Sequence, residues 1–444
     1  MALSLALPAA ATTLQEAVQQ AVNTSPAIEA ARANRRATEL ELEQSKGRRL
    51  PRAELYGDVG EERIDRPRGF APDVNDEWRT RRQVGVVLSQ PIFDGWERVN
   101  DIYRNAARVD SAAARVLARS EVLALDAVEA FIDVRRHRRI LSLAEDNVKR
   151  HERIIARVRD QIKAGKAAAS EEIQVKERLA GAKDIVSRIK QALLETEAKY
   201  VRVVGAKPGA LSPPPSPPDT SKSRADLIAH IVGSHPQIRA ADAEIDAATA
   251  GRRQVESARY PDVALELRGT TGQDLAGTPG RNSEASGKFV MRWQLYDGEI
   301  SRNKVREATE RIAQLRAERD ERLRLIVEEL DKARATTTTS VERIRALRDQ
   351  LKSARDLVAA YDTEYLLAKR TLLDVLTAEA AKFQTEVQLT SSEAVNAVAG
   401  FRMLAASGRL LEVLRVNAPP EANVANRVYF GTTPHDPLGL EKLR

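Results

Sequence analysis

Apolar residues recur at intervals of seven through most of this chain. Ile102, Val109, Val116, Leu123 and Ala130 share one phase, and the seam then shifts by four to continue as Val134, Leu141, Val148, Ile155 and Ile162. A sustained 3.5-residue period marks a helix packed coiled-coil fashion, and the four-residue insertion is a stutter that locally unwinds it. The pattern predicts one helix over 97–164, on the order of 100 Å long at 1.5 Å per residue. Gly165 ends it as a C-terminal cap. Ser170, with Glu171 and Glu172 in the first turn, opens a helix over 170–205 with Leu179, Val186, Leu193 and Tyr200 as its seam. Further on, Ile344, Leu351, Val358 and Tyr365 run beside Leu347, Ala354, Tyr361 and Ala368 in a second long helix over 299–367. After a break near Lys369–Thr371, Leu376, Phe383, Thr390, Ala397, Leu404 and Leu411 predict a helix over 371–411. No proline falls between Pro91 and Pro208 or between Pro279 and Pro419, so nothing interrupts these helices.

A period of two appears only in short stretches. Leu55, Gly57 and Val59 alternate with Glu54, Tyr56 and Asp58, and Val84, Val86 and Leu88 alternate with Gly85, Val87 and Ser89. Val263, Leu265 and Leu267 alternate with Ala264, Glu266 and Arg268; Phe289, Met291 and Trp293 alternate with Val290, Arg292 and Gln294. One apolar and one polar face is the strand signature, and it predicts β-hairpins at 52–92 and 262–296. A strand of about 8–9 residues approaches the 9–11 of a tilted membrane-spanning strand. Helices of about 22 residues start at Ser25-Pro26 and His235-Pro236, with Pro at the first helical position.

These elements come twice. Ser25-Pro26-Ala27-Ile28 returns as His235-Pro236-Gln237-Ile238 and Leu50-Pro51 as Tyr260-Pro261, displaced by 210 positions; Asp94-Gly95 returns as Asp297-Gly298 and Gly205 as Gly408, displaced by 203. The expected fold is mainly α with a small β part, a duplicated hairpin and long-helix unit. The first repeat covers 12–209 and the second 223–412, joined over 210–222 by a linker containing Pro213-Pro214-Pro215-Ser216-Pro217-Pro218. Residues 413–444 lack periodicity and are expected to form a flexible tail. Residues 1–11, with Leu3-Ser4-Leu5-Ala6-Leu7 before Pro8 and three alanines, resemble part of a secretory signal without its basic start; a frayed apolar tail is the other reading.

Composition narrows the functions. Charged residues make up 30% and aromatics 4%, which suits long solvated helices with narrow seams. The net charge of +7 comes from interspersed signs, as in Arg316-Ala317-Glu318-Arg319-Asp320, and no one-sign patch pairs with stacking aromatics, so no nucleic-acid partner is expected. With no cysteine and five histidines lacking ligand spacing, neither disulfide, thiolate nor metal site is expected. No phosphate loop, nucleophile triad or paired-carboxylate cleft is evident, so neither a cofactor nor an enzymatic activity is expected. No apolar run reaches the roughly 20 residues of a spanning helix. If the chain crosses a membrane it does so with strands, and four strands cannot close a barrel alone.

Gln90-Pro91-Ile92-Phe93-Asp94-Gly95, its partner Gln294-Leu295-Tyr296-Asp297-Gly298, and Thr371-Leu372-Leu373-Asp374-Val375-Leu376-Thr377-Ala378 resemble the TolC family of outer-membrane efflux and secretion channels. The resemblance covers roughly residues 12–412. It implies a homotrimer with a shared 12-stranded transmembrane β-barrel continued by an α-helical tunnel through the periplasm. It further implies docking to a periplasmic adaptor (membrane fusion) protein and an inner-membrane ABC or RND transporter, with outer-membrane lipid around the barrel. On this reading Phe289, Met291 and Trp293 face lipid, and Gly165, Lys166, Ala368 and Lys369 form the adaptor-facing tips. The periplasmic gate would comprise Ser170, Glu171, Tyr365 and Arg370, and Asp374 in three subunits would form an acidic ring at the entrance. Thr377 stands where the family often has a second acid, and Ala368 where it often has glycine.

Other readings stay beside these. Tyr365 on its seam could simply pack, and Glu171 could only complement the helix dipole. The hairpins could form a water-facing sheet capping a helical rod, giving a periplasmic coiled-coil structural or adaptor protein that never enters lipid. An amphipathic lipid-binding helical protein is a further rival, opposed by the narrowness of the seams.

Overall fold

The computed structural model describes residues 11–64, 78–216, 223–275, 279–367 and 369–424. Residues 1–10 of the signal-like segment, 217–222 of the linker, Ala368 and residues 425–444 of the tail lie outside the described residues. One order of elements is used twice. The first pass is α1 (Leu14–Thr24), α2 (Pro26–Gly47), β1 (Arg52–Arg63), β2 (Trp78–Phe93), α3 (Glu97–Lys163) and α4 (Ala169–Val204). The second is α5 (Arg224–Ser234), α6 (Pro236–Glu256), β3 (Asp262–Gln273), β4 (Arg281–Arg292), α7 (Ile300–Leu366) and α8 (Leu372–Ala406), with a short α9 (Leu410–Leu414) after it. Both long helices have 67 residues.

The helices α1 and α5 are additions to the sequence reading. Each has 11 residues and ends at the residue before a proline, Ser25 or His235, held in extended conformation. That is the restriction a following proline imposes. Their starts carry local signals: Thr13 and Glu16 form a capping box, and Ser223 Oγ accepts from the Asp226 amide.

The strands are longer than their apolar alternation suggests. They form one antiparallel sheet in the order β1-β2-β3-β4. The register pairs Leu55 with Val86, Leu88 with Leu267, Leu265 with Phe289 and Val263 with Met291. Directly opposed residues share a face, so apolar side chains from all four strands fall on one side. Glu54, Tyr56, Arg268, Glu266 and Lys288 take the other. Phe289 is 75% exposed and Met291 65%. Trp293 lies past the last residue of β4, contrary to its placement on the strand, and its Nε1 donates to Arg259 O at 3.2 Å.

Each long helix starts from the same device. Gly95 and Trp96 have φ of 63° and 66°, and Gly298 and Glu299 both 68°. Two left-handed residues in a row turn the strand into the helix, and the preceding Asp caps it. Asp94 Oδ2 accepts from the Arg98 amide, and Asp297 Oδ2 from the Ser301 amide. A Cβ on Gly95 would lie 2.8 Å from Ser257 O, so glycine is needed there for space as well as for φ.

The chain divides into two compact units that cut across the repeats. Among the described residues, one comprises the chain up to Ala33, Ala113–Arg239 and Asp320–Asn423; the other comprises Asn34–Ala112 and Ala240–Arg319. In the first, Leu14, Val18, Phe131, Tyr200, Phe401 and Leu410 bury one core, Ile231, Ile238 and Leu330 a second, and Ile155, Val158, Val175, Leu372 and Leu376 a third. In the second, Leu42 of α2 packs on Ile102 and Val109 of α3.

Two expectations at the C-terminal side need correction. The helix expected over 371–411 breaks, because Gly408 (φ 68°) caps α8 with Gly408 N donating to Ala405 O and Arg409 N to Leu404 O. The buried Glu121 carboxylate then accepts the amides of Leu410 and Leu411, at 3.1 and 3.3 Å, as α9 begins. Residues 413–424 are also no free tail. Gln15 Nε2 donates to Arg415 O, the Asn417 amide donates to Gln19 Oε1, and Arg32 pairs with Glu421 at 2.9 Å. The linker is held at its start as well, where the Ser212 amide donates to Thr12 O at 3.0 Å.

Candidate functional site

Two helical hairpins, α3–α4 and α7–α8, carry the residues expected at the tips and the gate. Gly165 (φ 72°) closes α3: Gly165 N donates to Ile162 O and Lys166 N to Gln161 O. These are the five-to-two and six-to-one bonds that use up a helix's last carbonyls. The same six-to-one bond ends α7, from Lys369 N to Glu364 O at 2.9 Å. Ser170 does not cap α4. The cap position is Ala168, which offers no side-chain bond, and Ser170 lies exposed in the first turn.

Of the gate set, the structure brings together Tyr365 and Glu171. Tyr365 Oη donates to Glu171 Oε2 at 2.7 Å, joining α7 to α4. Burial and then donation to that carboxylate hold the phenol well above its ordinary range. The charged acceptor makes this bond stronger than a neutral one. Tyr365 also packs on the Ile154–Leu376 core, so its packing role and its hydroxyl role coexist. Arg370 is placed elsewhere. Its Nε bonds Glu364 Oε2 at 2.8 Å and its guanidinium lies 4.6 Å from the centre of the Tyr361 ring, so it serves its own hairpin. Arg370, named with Glu171 in the gate set, does not pair with it within the chain.

Asp374 has a local task. Thr371 Oγ1 accepts from the Asp374 amide, and Asp374 Oδ2 accepts from both the amide and the hydroxyl of Thr371, at 3.2 and 2.8 Å. This capping box starts α8. The hydroxyl and amide of Thr371 lower the Asp374 pKa, so the side chain carries its negative charge at neutral pH.

A charged cluster, not evident from the sequence motifs, lies above these turns. Arg150 of α3 bonds both Asp362 of α7 and Glu379 of α8. Arg157 reaches the other Asp362 oxygen at 3.2 Å, and Lys382 Nζ reaches the other Glu379 oxygen at 2.8 Å. The signal was present: Asp362 lies between Val358 and Tyr365, and Glu379 between Leu376 and Phe383, at 3- and 4-residue spacings that assign core positions. An acid on a core position demands a cation.

Among the described residues there is no group of three or more His, Cys, Asp or Glu side chains suited to a metal ion, and no helix long and apolar enough to cross a membrane. On one face of the sheet the apolar side chains of Leu55, Val59, Val86, Phe289 and Met291 are exposed.

The family model described as outer membrane efflux protein matches residues 17–206 and 227–399. The outer membrane efflux protein BepC of Brucella suis biovar 1 (strain 1330) is 25% identical over 342 residues, covering 75% of this chain and 74% of that protein. Among solved structures, the outer membrane protein VceC of Vibrio cholerae superposes with a TM-score of 0.76 at 16% identity, covering 89% of this chain and 96% of that one. The open state of the Neisseria gonorrhoeae MtrE outer membrane channel gives 0.74 at 15% identity, with 90% and 89% covered. Sheet, paired helical hairpins and duplicated order thus coincide with a family match over most of the chain: the protein belongs to the outer membrane efflux protein family and resides in the outer membrane of a Gram-negative cell.

Proposed function

We propose that this chain is one third of an outer-membrane exit duct, serving a tripartite efflux pump or a type I protein secretion system. The single observation that carries the reading is the sheet: four antiparallel strands with one apolar face, ending in β1 and β4 as outer strands. Such edges cannot stand in lipid, where every backbone group needs a partner. Three copies supply twelve strands and close them into a barrel, with Phe289 and Met291 outward and Val290 toward water. A capping sheet in water would not place bulky apolar residues on its exposed side.

The helical hairpins supply the closable end. Gly165, Lys166 and Lys369 at their turns would meet a periplasmic adaptor, which couples the duct to an inner-membrane ABC or RND transporter. Glu171 and Tyr365 would help hold the end shut, and three copies of Asp374 would ring the entrance with negative charge. The MtrE channel, solved in an open state, lends support to a duct that changes state. The conduit needs no cofactor.

Extraction and gel mobility test the reading. The duct requires detergent for extraction from the outer-membrane fraction, and its oligomer band shifts on heating. A chain recovered from the periplasm without detergent, running as monomer heated or not, establishes the water-facing rod instead.

A further inference from the structure

Within each hairpin, the helices are laced by pairs at the surface: Arg159 with Glu172 and Lys190 with Glu145 between α3 and α4, Arg348 with Glu393 and Arg355 with Glu386 between α7 and α8. The ties that cross from one hairpin to the other near the turns are of another kind. Arg150 alone, from α3, bonds an acid on α7 and an acid on α8, and Arg157 comes to the same Asp362 from two turns further along α3. Glu379 is 1% exposed. Each of its oxygens is held, one by Arg150 and one by Lys382.

We propose that the cluster of Arg150, Asp362 and Glu379 is the principal tie between the two hairpins in the closed state, with the Tyr365–Glu171 bond a secondary tie nearer the turns. This rests on the reading of the chain as a duct whose helical end closes. Exposed pairs contribute little because water competes for both partners. A carboxylate as buried as Glu379 is different, since separating it from its cation leaves an uncompensated charge away from water. The cluster therefore does not loosen by degrees. Drawing α3 away from α7 and α8 breaks both Arg150 bonds together, and it proceeds only if water reaches Glu379. The planar guanidinium can serve two carboxylates at once, which a lysine ammonium on a flexible stem does poorly. Arg370 stands outside the tie, paired to Glu364 of its own hairpin.

The test uses the purified full-length oligomer in planar bilayers. Glu379→Gln with Asp362→Asn should raise single-channel conductance several-fold and further than Tyr365→Phe does, with the heat-sensitive oligomer band retained. In that double variant, adding Glu171→Cys and Tyr365→Cys and bridging them with a bismaleimide should return conductance toward wild type, which a merely damaged fold would not do. Arg150→Lys keeps the charge and should give intermediate conductance, so it tests the proposal if the double variant fails to assemble. Wild-type conductance in either variant, beside an open Tyr365→Phe channel, overturns the principal tie and leaves the duct standing. Inserted oligomers that conduct in no form, wild type included, overturn the duct and the tie with it.

Discussion

An arginine walked along β4 gives a sharp test of the sheet. Phe289 and Met291 lie on the apolar face, opposite Leu265 and Val263, while Val290 lies on the other face, opposite Ala264. Depth separates the first two. Met291 is the penultimate residue of its strand, next to Arg292, so an arginine there can reach the interface. Phe289 lies two residues deeper, and Leu55 within the band from β1. Charge on the lipid face costs about 2–4 kcal/mol near the midplane and about 0–1 near the interface. Phe289→Arg and Leu55→Arg should therefore cost more than an arginine at Met291, up to about 2–4 kcal/mol per chain, and up to about 6–12 per trimer if the three sites act independently. Met291→Arg should fall nearer 1 kcal/mol per chain, and Val290→Arg should be close to neutral. Equilibrium unfolding in guanidinium from lipid vesicles measures the order, and the yield of assembled protein in outer-membrane fractions checks it in cells. Equal tolerance at Phe289 and Val290, or greater loss at Val290, would refute the facing of the sheet.

The closable end and the buried acids give further tests. Tyr365→Phe removes one bond per chain to a carboxylate, worth about 1.5–3 kcal/mol, and should raise bilayer conductance with assembly intact, whereas Arg370→Ser alone should do less because Arg370 bonds within its own hairpin. Asp374→Asn should alter cation selectivity in bilayers and, by weakening the capping box with Thr371, increase hydrogen exchange in the first turn of α8; unaltered exchange would deny the cap. Glu121, pushed up to about 7 mainly by burial, binds its proton more tightly folded than unfolded. Its contribution to stability is thus fully present below the ordinary value near 4.5 and is lost as pH rises to 7, by something on the order of 3 kcal/mol. Thermal melts across that range should fall with pH, and Glu121→Gln should flatten the fall; an unchanged slope would show that Glu121 does not titrate there.

Most of the helical frame was legible because its signal is long. The seam from Ile102 to Ile162 repeats five times in each of its two phases, enough for both to stand out, and the prolines bracket it. The 11-residue helices α1 and α5 carry too few turns to build a period, although Thr13 with Glu16 marked one start. Strand ends were missed because pairing extends past the apolar band: Glu61–Thr80 and Gly272–Asn282 hold register without any alternation of hydrophobicity. At the site, Tyr365 and Glu171 came from a resemblance and meet in the structure. Arg150 could not be chosen among so many arginines from sequence alone, since its importance depends on which two acids it finds. Asp362 and Glu379 could have been flagged as acids on core positions. The position of Arg370 depends on which side of the α7–α8 turn it leaves, which spacing does not fix.

The equal length of α3 and α7 has a consequence for how such proteins can vary. A heptad adds about 10.5 Å of helix and returns every seam residue to its face, whereas one or two extra residues rotate all that follows away from its partner. Change in reach is therefore quantised. It must also be concerted, because a heptad gained by α3 alone would slide Arg150 past Asp362 and Glu379, and so requires matching insertions in α4, α7 and α8. Natural or engineered length variants should accordingly differ by whole heptads in four places at once, or by the four-residue step already present between Ala130 and Val134.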